Sequence, residues 1–127
     1  ATGDMDGDGY IDVVTGSLGN GTRVHYGDGK GGFPRQLSLS SDRDTASVAV
    51  ADLNQDGRPD VVEGNSERVN VVHMAQTNGQ YQQKPLREDL ADDTYHVATG
   101  DLNGDGLPDI VESNSGDWNL YYLVRKR

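Results

Sequence analysis

The chain has no cysteine, a single tryptophan, a single phenylalanine, and only 11 basic residues against 21 acidic ones. Without cysteine there is no disulfide framework, no thiolate metal site and no cysteine nucleophile. A formal net charge of −10 leaves no basic face to neutralise phosphates, which excludes a nucleic-acid binder. No apolar run approaches the roughly 18 residues a membrane-spanning helix needs. Hydrophobic residues are 33% of a 127-residue chain, so one domain with a modest core is expected. The opening residues Ala1, Thr2, Gly3 and Asp4 do not read as a signal peptide. The chain is therefore expected to follow a removed leader or to come from inside a longer protein.

What the sequence has in excess is aspartate: 17 of the 21 acids are Asp and only 4 are Glu. A short, stiff carboxylate in such excess points to oxygen presented from tight loops. The pattern D-x-[DN]-x-D-G-x-x-D occurs three times, starting at Asp4, Asp52 and Asp101, 48 and 49 residues apart. The similarity extends beyond these loops. Residues 47–51 and 96–100 precede the second and third, and Ala1, Thr2 and Gly3 look like the stub of the same segment. Val13 and Val14, Val61 and Val62, and Ile110 and Val111 follow them. Residues 23–26, 71–74 and 120–123 align further on, so one supersecondary unit recurs about 2.6 times.

Each unit reads as strands. Its apolar pieces are short and rich in Val, which suits a pleated sheet and disfavours helix. Gly, Asn, Asp and Ser break them at short intervals, and no window sustains helical periodicity over three turns. In the second unit we expect strands at about 46–51, 60–64, 69–75 and 80–87, with a turn at Thr77, Asn78 and Gly79. Four antiparallel strands per unit of about 48 residues match a propeller blade. The fold class is therefore all-β, with blade 1 at about 1–44, blade 2 at about 45–92 and an incomplete blade 3 at about 93–127.

The loops carry the chemistry. Ca²⁺ is a hard cation that takes six to eight oxygens. In a tight loop, positions 1, 3 and 5 turn their side chains inward, Gly at position 6 permits the bend, position 7 offers a backbone carbonyl and position 9 a further carboxylate. The expected ligands are Asp4, Asp6, Asp8, Tyr10 (carbonyl) and Asp12 in the first loop. They are Asp52, Asn54, Asp56, Arg58 (carbonyl) and Asp60 in the second, and Asp101, Asn103, Asp105, Leu107 (carbonyl) and Asp109 in the third. Three Ca²⁺ would bring the formal charge from −10 to about −4. Magnesium, with its strict octahedral demand and retained waters, fits less well.

Glu63 and Glu112 fall where an EF-hand would place its last ligand. An EF-hand loop needs flanking helices, whereas valine-rich strands flank these. On a strand, Glu63 would lie roughly 10 Å beyond Asp60. Both glutamates are therefore excluded as direct ligands. His25 and His73 occupy equivalent positions and have no nucleophile beside them, so they are read as packing or surface residues. Trp118 is a candidate for packing or sugar stacking, and Asn20, Gly21 and Thr22 match an N-glycosylation acceptor that is also a plain turn.

Residues 97–111 with 119–123, 48–62 and 1–14 together resemble the FG-GAP/VCBS repeat family, over essentially the whole chain. The Phe-Gly and Gly-Ala-Pro tags of the family are absent, so the likeness is to its calcium-loop branch. The resemblance implies blades of an integrin α-subunit-like β-propeller, with Ca²⁺ between the first two strands of each blade. Members include integrin heads, propeller lectins and propeller domains of secreted enzymes. A closed propeller needs about four to eight blades, so closure is expected from a longer chain or from further copies of this one. The expectation is an extracellular, non-enzymatic scaffold for adhesion or for recognition of a protein or glycan ligand. The alternative is a propeller domain of a secreted polysaccharide-active enzyme.

Overall fold

The computed structural model describes residues 1–87, 93–116 and 118–124. The eleven described strands are β1 (Thr2–Gly3), β2 (Asp12–Ser17), β3 (Gly21–Tyr26), β4 (Arg35–Ser38), β5 (Thr45–Ala51), β6 (Asp60–Asn65), β7 (Val71–Ala75), β8 (Tyr81–Pro85), β9 (Thr94–Gly100), β10 (Asp109–Asn114) and β11 (Leu120–Tyr122). No helix occurs among the described residues, so the acidic loops connect strands and the EF-hand alternative falls. The strands form three antiparallel meanders, β1-β2-β3-β4, β5-β6-β7-β8 and β9-β10-β11. These are the blades of the all-β fold that the repeats lead one to expect. The expected end of the second blade, at about 92, lies outside the described residues.

Register follows the repeat. Val13 pairs with His25 in the first blade, and Val61 with His73 in the second. β7 begins at Val71 rather than at 69, because the Asn70 side chain takes over the ladder there. Its Oδ1 accepts the Asn65 N–H at 2.7 Å, and Asn65 Nδ2 donates to the Val69 carbonyl at 3.0 Å. The turn from β7 to β8 is longer than a two-residue Asn-Gly hairpin. The Gly79 N–H donates to the Gln76 carbonyl at 3.3 Å, the Gln76 N–H to the Gln80 carbonyl at 2.8 Å, and Gly79 takes the left-handed conformation at φ 78°. This is a turn followed by a glycine bulge.

The blades stack face to face, and side-chain alternation along the strands supplies both faces. Val14, Val24 and Tyr26 pack with Val61, Val48 and Val50 between the first and second blades. Val62, Val72 and Leu53 pack with Val97 and Ile110 between the second and third. All six residues of β6 are buried, as expected of a blade covered on both sides. Close approach requires glycine at two equivalent positions. A Cβ on Gly16 would lie 2.6 Å from Thr45 Cγ2, and one on Gly64 would lie 2.8 Å from Val97 Cγ1.

A polar ladder accompanies this apolar packing. Asn70 Nδ2 donates to Thr94 Oγ1 at 2.8 Å and to Glu112 Oε1 at 2.6 Å, joining the second blade to the third. Thr22, in the equivalent place, donates to Thr45 Oγ1 at 3.4 Å. Asn70 is buried and thus satisfies three groups, two of them in the next blade. Asn70→Ala should therefore cost about 2–4 kcal/mol, since it leaves buried partners short of a hydrogen bond. The check is a lowered urea midpoint at unchanged m.

Candidate metal centres

The three acidic loops occupy the β1–β2, β5–β6 and β9–β10 connections at one end of the blades. Each is wound around the carboxylate at its first position. Asp4 Oδ1 accepts the N–H groups of Gly7 at 2.8 Å and Asp8 at 3.1 Å, and Oδ2 accepts that of Gly9 at 2.9 Å. In the second loop Asp52 accepts from Asp56 at 3.1 Å and Gly57 at 2.8 Å. In the third, Asp101 accepts from Gly104 at 2.7 Å, Asp105 at 3.2 Å and Gly106 at 2.8 Å. These backbone donors, led by that of Gly106, hold the Asp101 carboxyl below its ordinary range.

Positions 3 and 5 repeat the same turn one step on. Asp6, Asn54 and Asn103 accept from the N–H of Asp8, Asp56 and Asp105, and these in turn accept from Tyr10, Arg58 and Leu107. The winding requires left-handed backbone twice per loop. Position 6 is Gly9, Gly57 and Gly106, at φ 88°, 86° and 87°. Position 4 is Gly7 and Gly104, at φ 78° and 76°, and in the second loop Gln55, at 57°. Gln55 carries the strain of a non-glycine residue there. Its Nε2 reaches the Gly106 carbonyl at 2.5 Å, tying the second loop to the third.

In the first loop, ligand oxygens of Asp4, Asp6 and Asp8 lie within 4.8 Å of one another. Burial, together with the charges of Asp8 and Asp12, pushes the Asp6 carboxyl above its ordinary range. Like charges crowded this way call for a cation. The donors are carboxylates, an amide oxygen in the second and third loops, and a backbone carbonyl, with no nitrogen or sulfur ligand. Such a set fits a hard divalent ion of calcium's size.

The carboxylates at position 9 have a second role that the loop pattern does not reveal. Asp12, Asp60 and Asp109 are fully buried. Each bridges the start of its own loop to the end of the third strand of its blade. Asp12 accepts from Met5 at 2.7 Å and Gly27 at 2.8 Å, Asp60 from Leu53 at 2.9 Å and Ala75 at 2.8 Å, and Asp109 from Leu102 at 2.8 Å and Val124 at 2.9 Å. Two oxygens have four lone-pair directions, so each carboxylate keeps acceptor capacity for an ion beside these two bonds. Burial, opposed by the N–H groups of Ala75 and Leu53 and aided by Asp56 and Asp52, pushes the Asp60 carboxyl up to about 6.

Glu63 points away from the metal loop. Its Oε2 accepts from Ser40 Oγ at 2.8 Å and from His73 Nε2 at 2.8 Å, inside the contact between the first two blades. Glu112 is equally buried, bonded to Asn70 and, at 3.4 Å, to the Tyr122 hydroxyl. Both glutamates thus join blades. His73 is buried in that role, and His25 Nε2 lies 3.0 Å from Thr15 Oγ1. Trp118 is 87% exposed, so it packs between none of the described elements.

Residues 4–63 and 53–112 each match the family model described as the FG-GAP-like repeat. No curated protein matches the chain.

Proposed function

As the chain belongs to the FG-GAP-like repeat family, we propose that it is a calcium-binding β-propeller scaffold of an extracellular protein, built to present a recognition surface rather than to catalyse. One observation carries this reading. Three loops of different sequence at positions 3, 4 and 7 adopt the same hydrogen-bonded winding around Asp4, Asp52 and Asp101. Turns selected only to reverse the chain have no need of oxygens converging at the same three positions.

Calcium would be held by the side chains at positions 1, 3, 5 and 9 and the carbonyl at position 7 of each loop. When bound, it supplies charge neutralisation and folding free energy. The protein's own contribution is to hold the carboxylates in place beforehand through the loop N–H groups. Sites of this kind in extracellular modules bind in the range of about 10⁻⁴–10⁻³ M, so millimolar calcium outside a cell occupies them from about one half to about nine-tenths. The outer faces of the first and third blades are where further blades, of the same chain or of another copy, would stack.

Isothermal titration of calcium into the metal-free protein tests the reading, with an expected stoichiometry of three. Asp56→Ala removes one carboxylate from the second loop and should reduce the stoichiometry to two at the same calcium range. Magnesium at equal concentration should displace little of the bound ion. A titration with no saturable heat would overturn the proposal.

A further inference from the structure

Position 4 of the metal loops is glycine twice and glutamine once. Gly7 and Gly104 take the left-handed conformation freely, and a Cβ on either would meet nothing within 4 Å. Gln55 takes it at φ 57° and bears the strain of a side chain there. The other two loops reach the same winding with glycine, so the Gln55 side chain serves something outside its own loop. Its Nε2 donates to the Gly106 carbonyl of the third loop at 2.5 Å. Both ends of this bond lie between expected ligands. Gln55 sits between Asn54 and Asp56, positions 3 and 5 of the second loop, and Gly106 sits between Asp105 and Leu107, positions 5 and 7 of the third. The Gly106 N–H in turn donates to Asp101 Oδ2, at position 1, at 2.8 Å. On the far side of the bonded carbonyl Leu107 is buried, whereas Tyr10, its counterpart in the first loop, is 50% exposed.

We propose that Gln55 is a positioning residue that makes the second and third loops a cooperative pair in calcium binding, with the first loop independent of both. The proposal rests on the calcium reading given above. While the backbone through Asn54, Gln55 and Asp56 keeps its wound form, the Gln55 amide stays at the Gly106 carbonyl. Gly106 is thereby kept in the left-handed conformation that aims its N–H at Asp101. Loosening either loop breaks the shared bond and removes a support from the other. Coupling of this kind is reciprocal, so the order of each loop raises the affinity of its neighbour by the same factor. The bond is exposed, and an exposed amide–carbonyl hydrogen bond sets that factor at about three- to fivefold. Gly7 has no side chain with which to reach the second loop, so the first loop lacks the link.

The test is a calcium titration of the isotope-labelled full chain followed by NMR, at about 0.15 M salt, where charges on separate loops are largely screened. The amides of Gly9, Gly57 and Gly106 each donate to the first carboxylate of their own loop, so each reports its own site. Asp56→Ala disables the second site. It should weaken the Gly106 transition about three- to fivefold, within the calcium range over which the sites fill, and leave the Gly9 transition unchanged. In the Gln55→Gly background, which removes the strain and keeps the residue type of the other two loops, Asp56→Ala should no longer move the Gly106 transition. In EGTA, Gln55→Gly alone should speed hydrogen exchange of the Gly106 amide about threefold relative to that of Gly9. Four results would each overturn the coupling and leave the calcium reading standing. They are a Gly106 transition indifferent to Asp56→Ala, an effect that persists in Gln55→Gly, an equal effect at Gly9, and unchanged exchange at Gly106. Three amides that do not respond to calcium would overturn both readings.

Discussion

Removing calcium with EGTA should lower the thermal unfolding midpoint of the protein by roughly 20–30 °C. A ligand present at about a hundred times its dissociation constant stabilises by about 2.7 kcal/mol, so three such sites at 10 mM calcium supply about 8 kcal/mol. Domains of this size are stable by only about 5–15 kcal/mol, and each kcal/mol moves the midpoint by several degrees. The pH dependence should change sign between the two conditions. In EGTA, the Asp60 carboxyl, raised to about 6, favours the folded state when protonated. That contribution is complete below the unfolded value of 3.8 and is lost as pH rises through about 6. The metal-free protein should therefore become more stable, by up to about 3 kcal/mol, on going from pH 7 to pH 4. On the calcium reading proposed above, the ionised carboxylate would serve as the ligand, and acid should instead destabilise in calcium. A midpoint indifferent to exhaustive chelation, measured by differential scanning calorimetry, would contradict the structural role of the ion.

Much of the architecture could be read from local signals, because a repeat multiplies them. β5 and β6 run over residues 45–51 and 60–65, where Val-rich segments abut the acidic loops. The loop winding followed from Asp, Asn and Gly at fixed offsets within nine residues. What stayed illegible depends on partners far along the chain. β7 starts late, after Asn70, because the Asn70 amide serves both Asn65 and the next blade, 24 and 42 residues away. Asp60 looks like one more ligand until the backbone of Ala75, 15 residues on, is seen to need its other oxygen. Glu63 and Glu112 sit at the EF-hand spacing, yet the fold uses them as blade-to-blade joints. A signal for that role was present. Thr45 and Thr94, Glu63 and Glu112, Asn65 and Asn114, and Asn70 and Asn119 each recur at the repeat spacing of 49. Polar residues kept in register outside the loops mark a contact that every blade makes with its neighbour.

Glu63→Ala should destabilise the protein by about 3–5 kcal/mol, although the residue touches no metal loop. Its side chain is fully buried between the first two blades. Oε2 accepts from Ser40 and His73, and Oε1 stands 3.6 Å from Arg43 Nε without a hydrogen bond. Removing the anion leaves the buried His73 and the half-buried Ser40 without their acceptor, and this is the costly way to break a buried pair. Burial pushes the Glu63 carboxyl up, but hydrogen bonds led by that of His73, together with the charge of His73, outweigh it and bring it to about 2. A lowered carboxyl favours the folded state when ionised. Its contribution is complete above 4.5 and lost as pH falls through about 2, about 3 kcal/mol in all. Wild type should lose that amount between pH 5 and pH 2, and Glu63→Gln should lack that part of the fall. Because Oε1 makes no hydrogen bond, the pair is imperfectly satisfied, and a matched apolar replacement can do as well. Glu63→Leu combined with His73→Leu should accordingly cost less than the sum of the two single changes, by a coupling of about 2 kcal/mol in a double-mutant cycle. Additive losses in that cycle, or a Glu63→Ala protein as stable as wild type, would show that the two blades are held by their apolar faces alone.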